Sequence, residues 1–220
     1  MPDDVAKLAN KLLNNPENIS IESKSIHVEQ LSQFVLFIDS DKKKLYLKNL
    51  LEDSKFNSVV VFTRTKHKAD TISNFLKKNG IKADALHGRK SQNARIKILT
   101  NFKLSKLRVL VATDVASRGI DVSGITHVIN YEIPNVPEDY IHRIGRTARA
   151  GESGTAISLC SPEEKAYLNN IEKLINCDIE NYDKLNNFQL INNKNDLKPK
   201  KVNKKSRNKK NKKRTIRKKT

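Results

Sequence analysis

Short apolar runs rich in β-branched residues constrain the fold of this chain most. They occupy residues 59–62, 109–112, 127–130 and 157–159, and segments with helical spacing lie at residues 66–78, 91–102, 137–143 and 162–175. Apolar runs this short, without alternating polar residues, are typical of parallel strands that are buried on both faces. Their alternation with helices predicts an α/β fold of three layers, with helices on both faces of a central, mainly parallel sheet. Ligands of such folds bind at the carboxyl ends of the strands.

The loops that follow these runs carry residues suited to phosphate binding. Thr63 and Arg64 offer a hydroxyl and a guanidinium directly after the first run, and Gly88 allows a close backbone approach. Gln92 and Arg95 lie about one helical turn apart at the start of a predicted helix. The residues alone leave two alternatives open, which are a structural role for Thr63 or Arg64 and an ordinary surface helix around Gln92 and Arg95.

An arginine-rich stretch, YIHRIGRTARAG at residues 140–151, presents three arginines at a spacing of three: Arg143, Arg146 and Arg149. Guanidinium groups always carry charge and offer planar forks of hydrogen-bond donors, so arginines presented together suit the phosphates of a nucleotide. The alternative is a solvated basic helix face. Because that alternative gives no role to Gly145 or His142, the stretch predicts a nucleotide-phosphate site.

Four sequence blocks follow one another in a fixed order. They are VVVFTRTKHKAD at residues 59–70, LHGRKSQNARIKILTNFK at 86–103, VLVATDVASRGIDV at 109–122 and YIHRIGRTARAG at 140–151. Together they resemble the second RecA-like domain of the DEAD-box RNA helicases, which couple ATP hydrolysis to local unwinding of RNA. The resemblance covers residues 1 to about 178, and the run HVINYEIPNVPEDYIHRIGRTARAG is most similar to the bacterial RhlE-type branch.

The resemblance implies roles for individual residues. Arg146 and Arg149 would reach the γ-phosphate of ATP as arginine fingers, and Asp121, with the neighbouring Gly119, would bind the ATP ribose. His142 would contact the first RecA-like domain. The RNA backbone would be bound by a larger set, namely Thr63, Gly88, Gln92, Arg95, Thr113 and Arg118.

Other residues of these blocks are interpreted as internal braces. Asp114 would tie its loop to the arginine motif, Arg143 would brace that motif through acids of the same domain, and Phe62 would pack against it. Position 148 is Ala, whereas many members of the family have Gly there. We expect this small departure to leave both finger arginines in place.

Motifs that the family uses to hold phosphates and magnesium do not occur in these 220 residues: there is no GxxxxGK[ST] loop, no DEAD and no SAT. The resemblance therefore implies that ATP and Mg²⁺ are held by a first RecA-like domain, supplied in cis or in trans, and that this chain alone is inactive. Residues 1–23 are interpreted as the end of that first domain and a linker, and residues 24–178 as the second RecA-like domain. Residues 179–220 are interpreted as a polar linker and a disordered basic tail.

The first residues have an amphipathic helical pattern. Val5, Leu8, Ala9, Leu12 and Leu13 share one helical face, and Pro16 follows. We expect this helix to stop before Pro16. We also expect it to be loosely docked, because the resemblance implies that its original core belongs to the first domain.

Charge is unevenly distributed along the chain. Residues 198–220 hold 14 Lys and Arg and no acid, which leaves 29 basic against 24 acidic residues in the rest of a chain with a formal charge of +19. Such a segment has too few apolar residues to bury and repels itself, so we expect it to be disordered when free and to bind phosphates without regard to sequence. The alternative is an extension that only aids solubility.

Compartment and metal binding are predicted from what the sequence lacks. No apolar run approaches the roughly 18 residues of a membrane span and no signal segment opens the chain, so we expect a cytoplasmic protein without a membrane partner. Cys160 and Cys177 lack CxxC spacing and are predicted to be buried small hydrophobes. No metal site is predicted in this chain.

Two functions of different classes are consistent with these patterns. The first is the C-terminal half of an ATP-dependent DEAD-box RNA helicase, which would supply arginine fingers, a ribose contact and RNA-backbone contacts for local duplex unwinding. The second is a stand-alone RNA-binding or annealing module that uses the basic tail and has no turnover.

Overall fold

A single parallel sheet organises the part of the chain that the computed structural model describes, which is residues 3–14, 31–117, 122–148 and 153–182. Its strands are β1 Leu31–Phe37, β2 Val59–Phe62, β3 Ala83–Leu86, β4 Val109–Ala112, β5 His127–Asn130, β6 Gly154–Cys160 and β7 Glu180–Asn181. Their order across the sheet is β3-β4-β2-β5-β6-β1-β7, and every neighbouring pair is parallel.

Helices connect these strands within the described ranges. They are α1 Asp3–Leu12, α2 Lys43–Glu52, α3 Lys66–Lys78, α4 Gln92–Lys103, α5 Asp114–Ser117, α6 Pro137–Ile144 and α7 Lys165–Ile175, with a 3-10 turn at Pro162–Glu164. All residues of β2 and β4 are fully buried, so the central strands are covered on both faces. The predicted three-layer, RecA-like α/β fold with a parallel sheet is confirmed.

Two buried clusters attach helices to the sheet. In the first, Ile98 and Phe102 of α4 pack with Val60 and Phe62 of β2 and with Val128 of β5. In the second, α6 and α7 pack on the other end of the sheet, through a set made up of Val35, Ala156, Tyr140, Ile144, Leu168 and Ile171. These clusters fix α4, which carries Gln92 and Arg95, and α6, which carries His142, at defined positions beside the strands.

Local signals explain where the helices begin and end. The Thr65 hydroxyl accepts a hydrogen bond from the Lys68 N–H at the start of α3, and Ser91 caps α4 in the same way. Gly80 follows α3 with a φ of +80°, a conformation that favours glycine, as the Asn79-Gly80 pair predicts. α6 begins with Pro137, whose missing N–H costs nothing in the first helical turn.

The predicted bounds are correct for the central strands and incomplete elsewhere. β2, β4 and β5 occupy the predicted residues, whereas β6 begins three residues earlier and ends one residue later than the predicted run at 157–159. β1 and α2 were not predicted. β7 adds an edge strand just beyond residue 178, where Glu180 pairs with Phe34. Cys160 is buried as predicted, but Cys177 is exposed, because it follows the end of α7 at the surface.

α1 confirms the predicted amphipathic helix and leaves its apolar face uncovered. Leu8, Leu12 and Leu13 are 57%, 75% and 56% exposed. The helix ends at Leu12, and Pro16 lies outside the described residues. None of the helices in the described ranges combines the length and the apolar character needed to cross a bilayer.

His127 is a partly buried histidine at the start of β5. Its ring lies 4.2 Å from the Phe56 ring, centroid to centroid, and its Nδ1 lies 2.8 Å from the Thr126 hydroxyl. Burial lowers the pKa of His127 from 6.5 to about 4, and only part of this shift is opposed by the nearby Asp53 carboxylate. The imidazole is therefore neutral in the folded protein at pH 7.

Deleting residues 1–16 is expected to lower the free energy of unfolding by less than about 2 kcal/mol, because the leucines of α1 bury little surface. Leu47→Ala in α2 is the matched control. Leu47 is fully buried, with 0% accessibility. Truncating its side chain should therefore lower the free energy of unfolding by about 2–5 kcal/mol. Denaturant unfolding measures both, and a loss above about 2 kcal/mol on deletion would contradict the loose docking of α1.

Acidification is expected to destabilise the fold through His127. The folded pKa of about 4 lies below the unfolded value of 6.5, so the unfolded chain takes up the proton first. Stability is complete above pH 6.5 and is lost as pH falls towards 4. Allowing for partial exposure, we expect about 1–2 kcal/mol from this group. The difference in free energy of unfolding between the wild type and His127→Gln should change by this amount between pH 7 and pH 4. A difference that stays the same at both pH values would refute the prediction.

Candidate functional site

Three loops begin side by side at the carboxyl edge of the sheet. β2, β4 and β3 are neighbours, and their last residues, Phe62, Ala112 and Leu86, pair in register. The Thr63 N–H donates to the Ala112 carbonyl at 3.0 Å, and the Thr113 N–H donates to the Leu86 carbonyl at 3.3 Å. The predicted RNA-binding residues Thr63, Gly88 and Thr113 therefore start from one edge.

The two threonines of this edge are enclosed. Thr63 is fully buried, and its hydroxyl donates to the Thr65 carbonyl at 3.3 Å. Thr113 is only 6% exposed. Thr63 therefore offers a ligand no accessible surface in this conformation and Thr113 offers little, and their RNA-binding role stays a prediction.

Gln92 and Arg95 lie together on the first turn of α4. Gln92 is exposed, Arg95 is half-buried, and the Arg95 Nη1 donates to the Gln92 Oε1 at 3.3 Å. In the part of the chain that the structure describes, no carboxylate forms an ion pair with Arg95. The pair thus presents amide and guanidinium groups directly after the turn that contains Gly88.

A buried histidine holds the Gly88 turn. His87 Nε2 lies 2.9 Å from Asp70 Oδ2 in α3, and the Lys90 ammonium lies 3.1 Å from the other oxygen of the same carboxylate. Burial raises the pKa of Asp70, but the hydrogen bonds from His87 and Lys90 outweigh it, and the pKa lies below its ordinary value. Asp70 is therefore ionised at neutral pH.

Arg143 of the arginine motif is buried, with 1% exposure. Its Nε and Nη2 donate to the two oxygens of Asp114 at 2.6 and 2.9 Å, and its Nη1 donates to Asn130 Oδ1 at 3.1 Å and to the Glu132 carbonyl at 2.8 Å. The guanidinium carbon lies 5.2 Å from the centre of the Phe62 ring. The predicted internal roles of Asp114, Arg143 and Phe62 are confirmed.

His142 and Arg146 lie at the accessible end of α6. The His142 side chain is 61% exposed, and its Nδ1 is 3.9 Å from Asp139. Arg146 is half-buried, and its Nε donates to the His142 carbonyl at 3.3 Å. The other residues predicted to bind nucleotide or RNA in these motifs, namely Arg118, Gly119, Asp121 and Arg149, lie outside the described residues.

Thr147 anchors the backbone next to Arg146. Its side chain is 2% exposed, and its hydroxyl lies within hydrogen-bond distance of the Ile125 and Thr126 carbonyls, 3.2 Å from the latter. Ala148 follows with a φ of +53°, in the left-handed region that favours glycine. This conformation explains physically why glycine suits position 148, and Ala148 adopts it nevertheless.

A second ionic cluster was missed from the sequence. Glu164 is 3% exposed, and its carboxylate accepts hydrogen bonds from the Lys43 ammonium, from the Arg64 guanidinium at 3.2 Å and from the Ile133 N–H at 3.3 Å. The sequence S-P-E-E contains a capping-box signal for the Ser161–Glu164 contact. Lys43 and Arg64 reach Glu164 only through the tertiary fold, and local sequence patterns do not reveal this.

Arg64 is committed to this cluster. Its Nη1 donates to Asn135 at 2.8 Å, and its backbone N–H donates to Glu132 at 2.9 Å. The structural role that the residues alone left open for Arg64 is therefore the one observed. A cavity of about 330 Å³ lies beside it, lined in part by Lys68, Tyr131 and Tyr167.

In the described residues, this edge of the sheet carries arginine side chains rather than a cluster of metal ligands. Among the described residues, no group of three His, Cys, Asp or Glu side chains could hold a metal ion. Arg146 follows the end of α6, is half-buried, and precedes the anchored Thr147.

Comparison with known proteins agrees with this arrangement. Residues 42–151 match the helicase conserved C-terminal domain. The chain is 41% identical over 173 residues to the DEAD-box ATP-dependent RNA helicase CshA of Bacillus cereus, covering 79% of this chain and 33% of that protein. For CshA of Listeria monocytogenes the identity is 42%, with the same shares of each chain. The chain thus spans about a third of the length of these curated relatives.

Solved structures give the same assignment. Escherichia coli SrmB, a DEAD-box protein solved in complex with the regulator of ribonuclease activity A, superposes with a TM-score of 0.66 and 35% identity, over 69% of this chain and 89% of that chain. A DEAD-box protein from Methanococcus jannaschii superposes with a TM-score of 0.67 and 38% identity, over 82% and 48% respectively. The chain therefore belongs to the helicase C-terminal domain family and is of the DEAD-box RNA helicase type.

Proposed function

We propose that this chain supplies the second half of an ATP-driven RNA-unwinding site. The observation that carries the proposal is the shared edge from which the loops of Thr63, Gly88 and Thr113 begin, joined to α6 by the contact of Arg143 with Asp114. RNA backbone would lie over the loops and over Gln92 and Arg95, without sequence preference. Such backbone contacts position a strand but do not specify its bases.

Arg146 and Arg149 act in this proposal as fingers on the transferred phosphate, and Asp121 with Gly119 holds the ribose. ATP supplies the phosphoryl group, and a first RecA-like domain supplies the phosphate loop and Mg²⁺. This chain has no Gly followed by Lys and so lacks that loop. His142, at 61% exposure, is available to contact the first domain.

The Arg143–Asp114 fork links the two kinds of contact. Thr113 and Asp114 are adjacent, and Arg143 and Arg146 are one turn apart. Movement of the Thr113 loop on binding RNA would shift Asp114, and through Arg143 it would shift the helix end that carries Arg146. Because the shared element is short and buried, we infer that RNA occupancy and finger placement are coupled.

Finer features of the proposal concern subgroup, boundaries and location. We assign the chain to the RhlE-type branch on the run at residues 127–151, although the relatives above carry the name CshA. Residues 24–178 are proposed as the RecA-like domain, with β7 at Glu180–Asn181 as an edge addition. Residues 179–220 are proposed as a polar linker and a basic tail. Of these, residues 183–220 lie outside the described part of the chain. A cytoplasmic location follows if the substrate is cellular RNA.

A stand-alone RNA-binding or annealing module is the second candidate. The observation that favours it is the set of 14 Lys and Arg without an acid at residues 198–220. The two candidates differ in turnover. A module of this kind binds RNA equally well with and without a first RecA-like domain and never hydrolyses ATP.

ATP hydrolysis separates the candidates. We expect no RNA-stimulated hydrolysis by the chain alone, and turnover when the first RecA-like domain of a CshA relative is added. Arg146→Ala should then lower kcat by about 10³ or more, as loss of an arginine finger does, and Lys173→Ala, which removes an exposed cation from α7, should not. ATP hydrolysis by the pure chain that Arg146→Ala abolishes would contradict the proposal. So would turnover by the chain and the added first domain that Arg146→Ala leaves unchanged.

Salt dependence locates the RNA affinity. For single strands the slope of log K against log salt is about −0.7 per phosphate neutralised, so if about half of the 14 tail cations engage, removing residues 198–220 should reduce its magnitude by about 5. Arg95→Ala should change it by less than about 1. Titrations of labelled single-stranded RNA at several salt concentrations measure both. An unchanged slope after removal of the tail would show that the folded domain is the main anchor.

A further inference from the structure

The turn before α4 is organised by one buried imidazole. His87 is 2% exposed and follows the last residue of β3. Its Nδ1 accepts a hydrogen bond from the Arg89 N–H at 3.3 Å, while its Nε2 faces Asp70 at 2.9 Å. The Lys90 N–H donates back to the His87 carbonyl at 3.0 Å. The turn from residue 87 to residue 90 is thus closed by both the backbone and the side chain of His87.

These contacts define which nitrogen carries the proton. A backbone N–H can only donate, so the Nδ1 that faces Arg89 must be an acceptor without a proton. The proton then lies on Nε2 and is donated to the ionised Asp70 carboxylate. A doubly protonated ring would place two donors against each other at Nδ1. The turn therefore requires the neutral imidazole with its proton on Nε2.

The outer side of the turn carries a glycine beside a cation. A Cβ atom at Gly88 would lie 3.7 Å from Cε and 3.8 Å from Nζ of Lys66. Lys66 is exposed at the start of α3, and Gln92 and Arg95 follow on α4. The backbone of Gly88 and the Lys66 ammonium thus face the same small space, which suits a phosphate oxygen.

We propose that His87 is a positioning residue for RNA, which holds the Gly88 turn in its phosphate-binding shape through the Nδ1 hydrogen bond to Arg89, with Asp70 fixing the ring. Lys66 is the cation that meets the same backbone phosphate. The inference deepens the proposed function, on which it rests, because it requires Gly88 to contact RNA. The ligand is the phosphate of a single-stranded RNA backbone.

Two substitutions distinguish the contact made by Nδ1 of His87 from the contact made by Nε2. His87→Asn keeps an acceptor oxygen near the position of Nδ1 and loses the contact with Asp70. His87→Gln reaches Asp70 with its amide and leaves the Arg89 N–H without an acceptor. The full chain, labelled with ¹⁵N, is titrated with a short oligouridine, and affinity is read at the backbone amides of Gly88, Arg89 and Gln92, so that binding by the tail does not obscure it.

We expect His87→Gln to weaken the affinity read at these amides about 3- to 10-fold, the effect of one unmade hydrogen bond, and His87→Asn to stay within about twofold of wild type. The imidazole ¹⁵N spectrum of the wild type should show a proton on Nε2 alone. The two variants should unfold at similar temperatures although their affinities differ. If His87 were purely structural, the variant that binds RNA more weakly would also be the less stable one.

Controls keep the outcomes distinct. Asp70→Ala removes a side chain that is 42% exposed, so it should fold even where the His87 variants do not, and, like His87→Asn, it should weaken the same affinity by no more than about twofold. Asp84→Ala removes the partner of Lys77 at the opposite end of β3, 3.0 Å from that ammonium, and should leave it unchanged.

Three results would overturn the inference. If both His87 variants and Asp70→Ala bind like wild type while Arg95→Ala binds weakly, the turn does not depend on His87 and the proposed RNA site stands. Equal weakening by Asn and Gln would exclude the Nδ1 hydrogen bond as the cause. If RNA shifts none of these amides in the wild type, the RNA contact of the folded domain fails, and the role of His87 fails with it.

Discussion

A buried guanidinium sets the geometry of this domain. Arg143 carries a full charge at 1% exposure, and a charge so placed is tolerated only when it is paired and hydrogen-bonded. Asp114, Asn130 and the Glu132 carbonyl meet that requirement. They come from α5, from β5 and from the loop after β5. One side chain of α6 thus fixes three elements relative to one another.

Glu164 plays the complementary part on the other side of the same edge. It is a buried anion held by Lys43 of α2 and Arg64 of the loop after β2, and it also accepts the Ile133 N–H. Burial, followed by the nearby Glu132 and Glu164, raises the pKa of Tyr131 to about 12, so its phenol stays protonated. Two neighbouring groups of the loop between β5 and α6 are therefore held by buried charges, the Glu132 carbonyl by Arg143 and the Ile133 N–H by Glu164.

The sequence predicted what local chemistry determines. β2, β4 and β5 were identified as short runs rich in β-branched residues, and α3 and α4 by their helical spacing, to which the caps at Thr65 and Ser91 conform. β1 was not predicted because Ser32 and Gln33 interrupt its apolar residues. β7 was not predicted because two polar residues show no periodicity. The role of Arg64 could not be read locally, since Glu164 lies 100 residues away in the chain. The bracing role of Arg143 was predicted from the resemblance of its sequence block to the arginine motif of the family.

The anchoring of Thr147 has an entropic consequence for the residue before it. Folding has already fixed the backbone of Arg146, because the Thr147 hydroxyl is held by carbonyls of the segment before β5 and the Arg146 N–H donates to the Arg143 carbonyl at 3.0 Å. Ordering a free backbone residue costs about 1–2 kcal/mol, whereas immobilising one long side chain costs about 0.5–1.5 kcal/mol. An anion bound by Arg146, as proposed above, would therefore restrict side-chain torsions alone, in exchange for the contact of Nε with the His142 carbonyl.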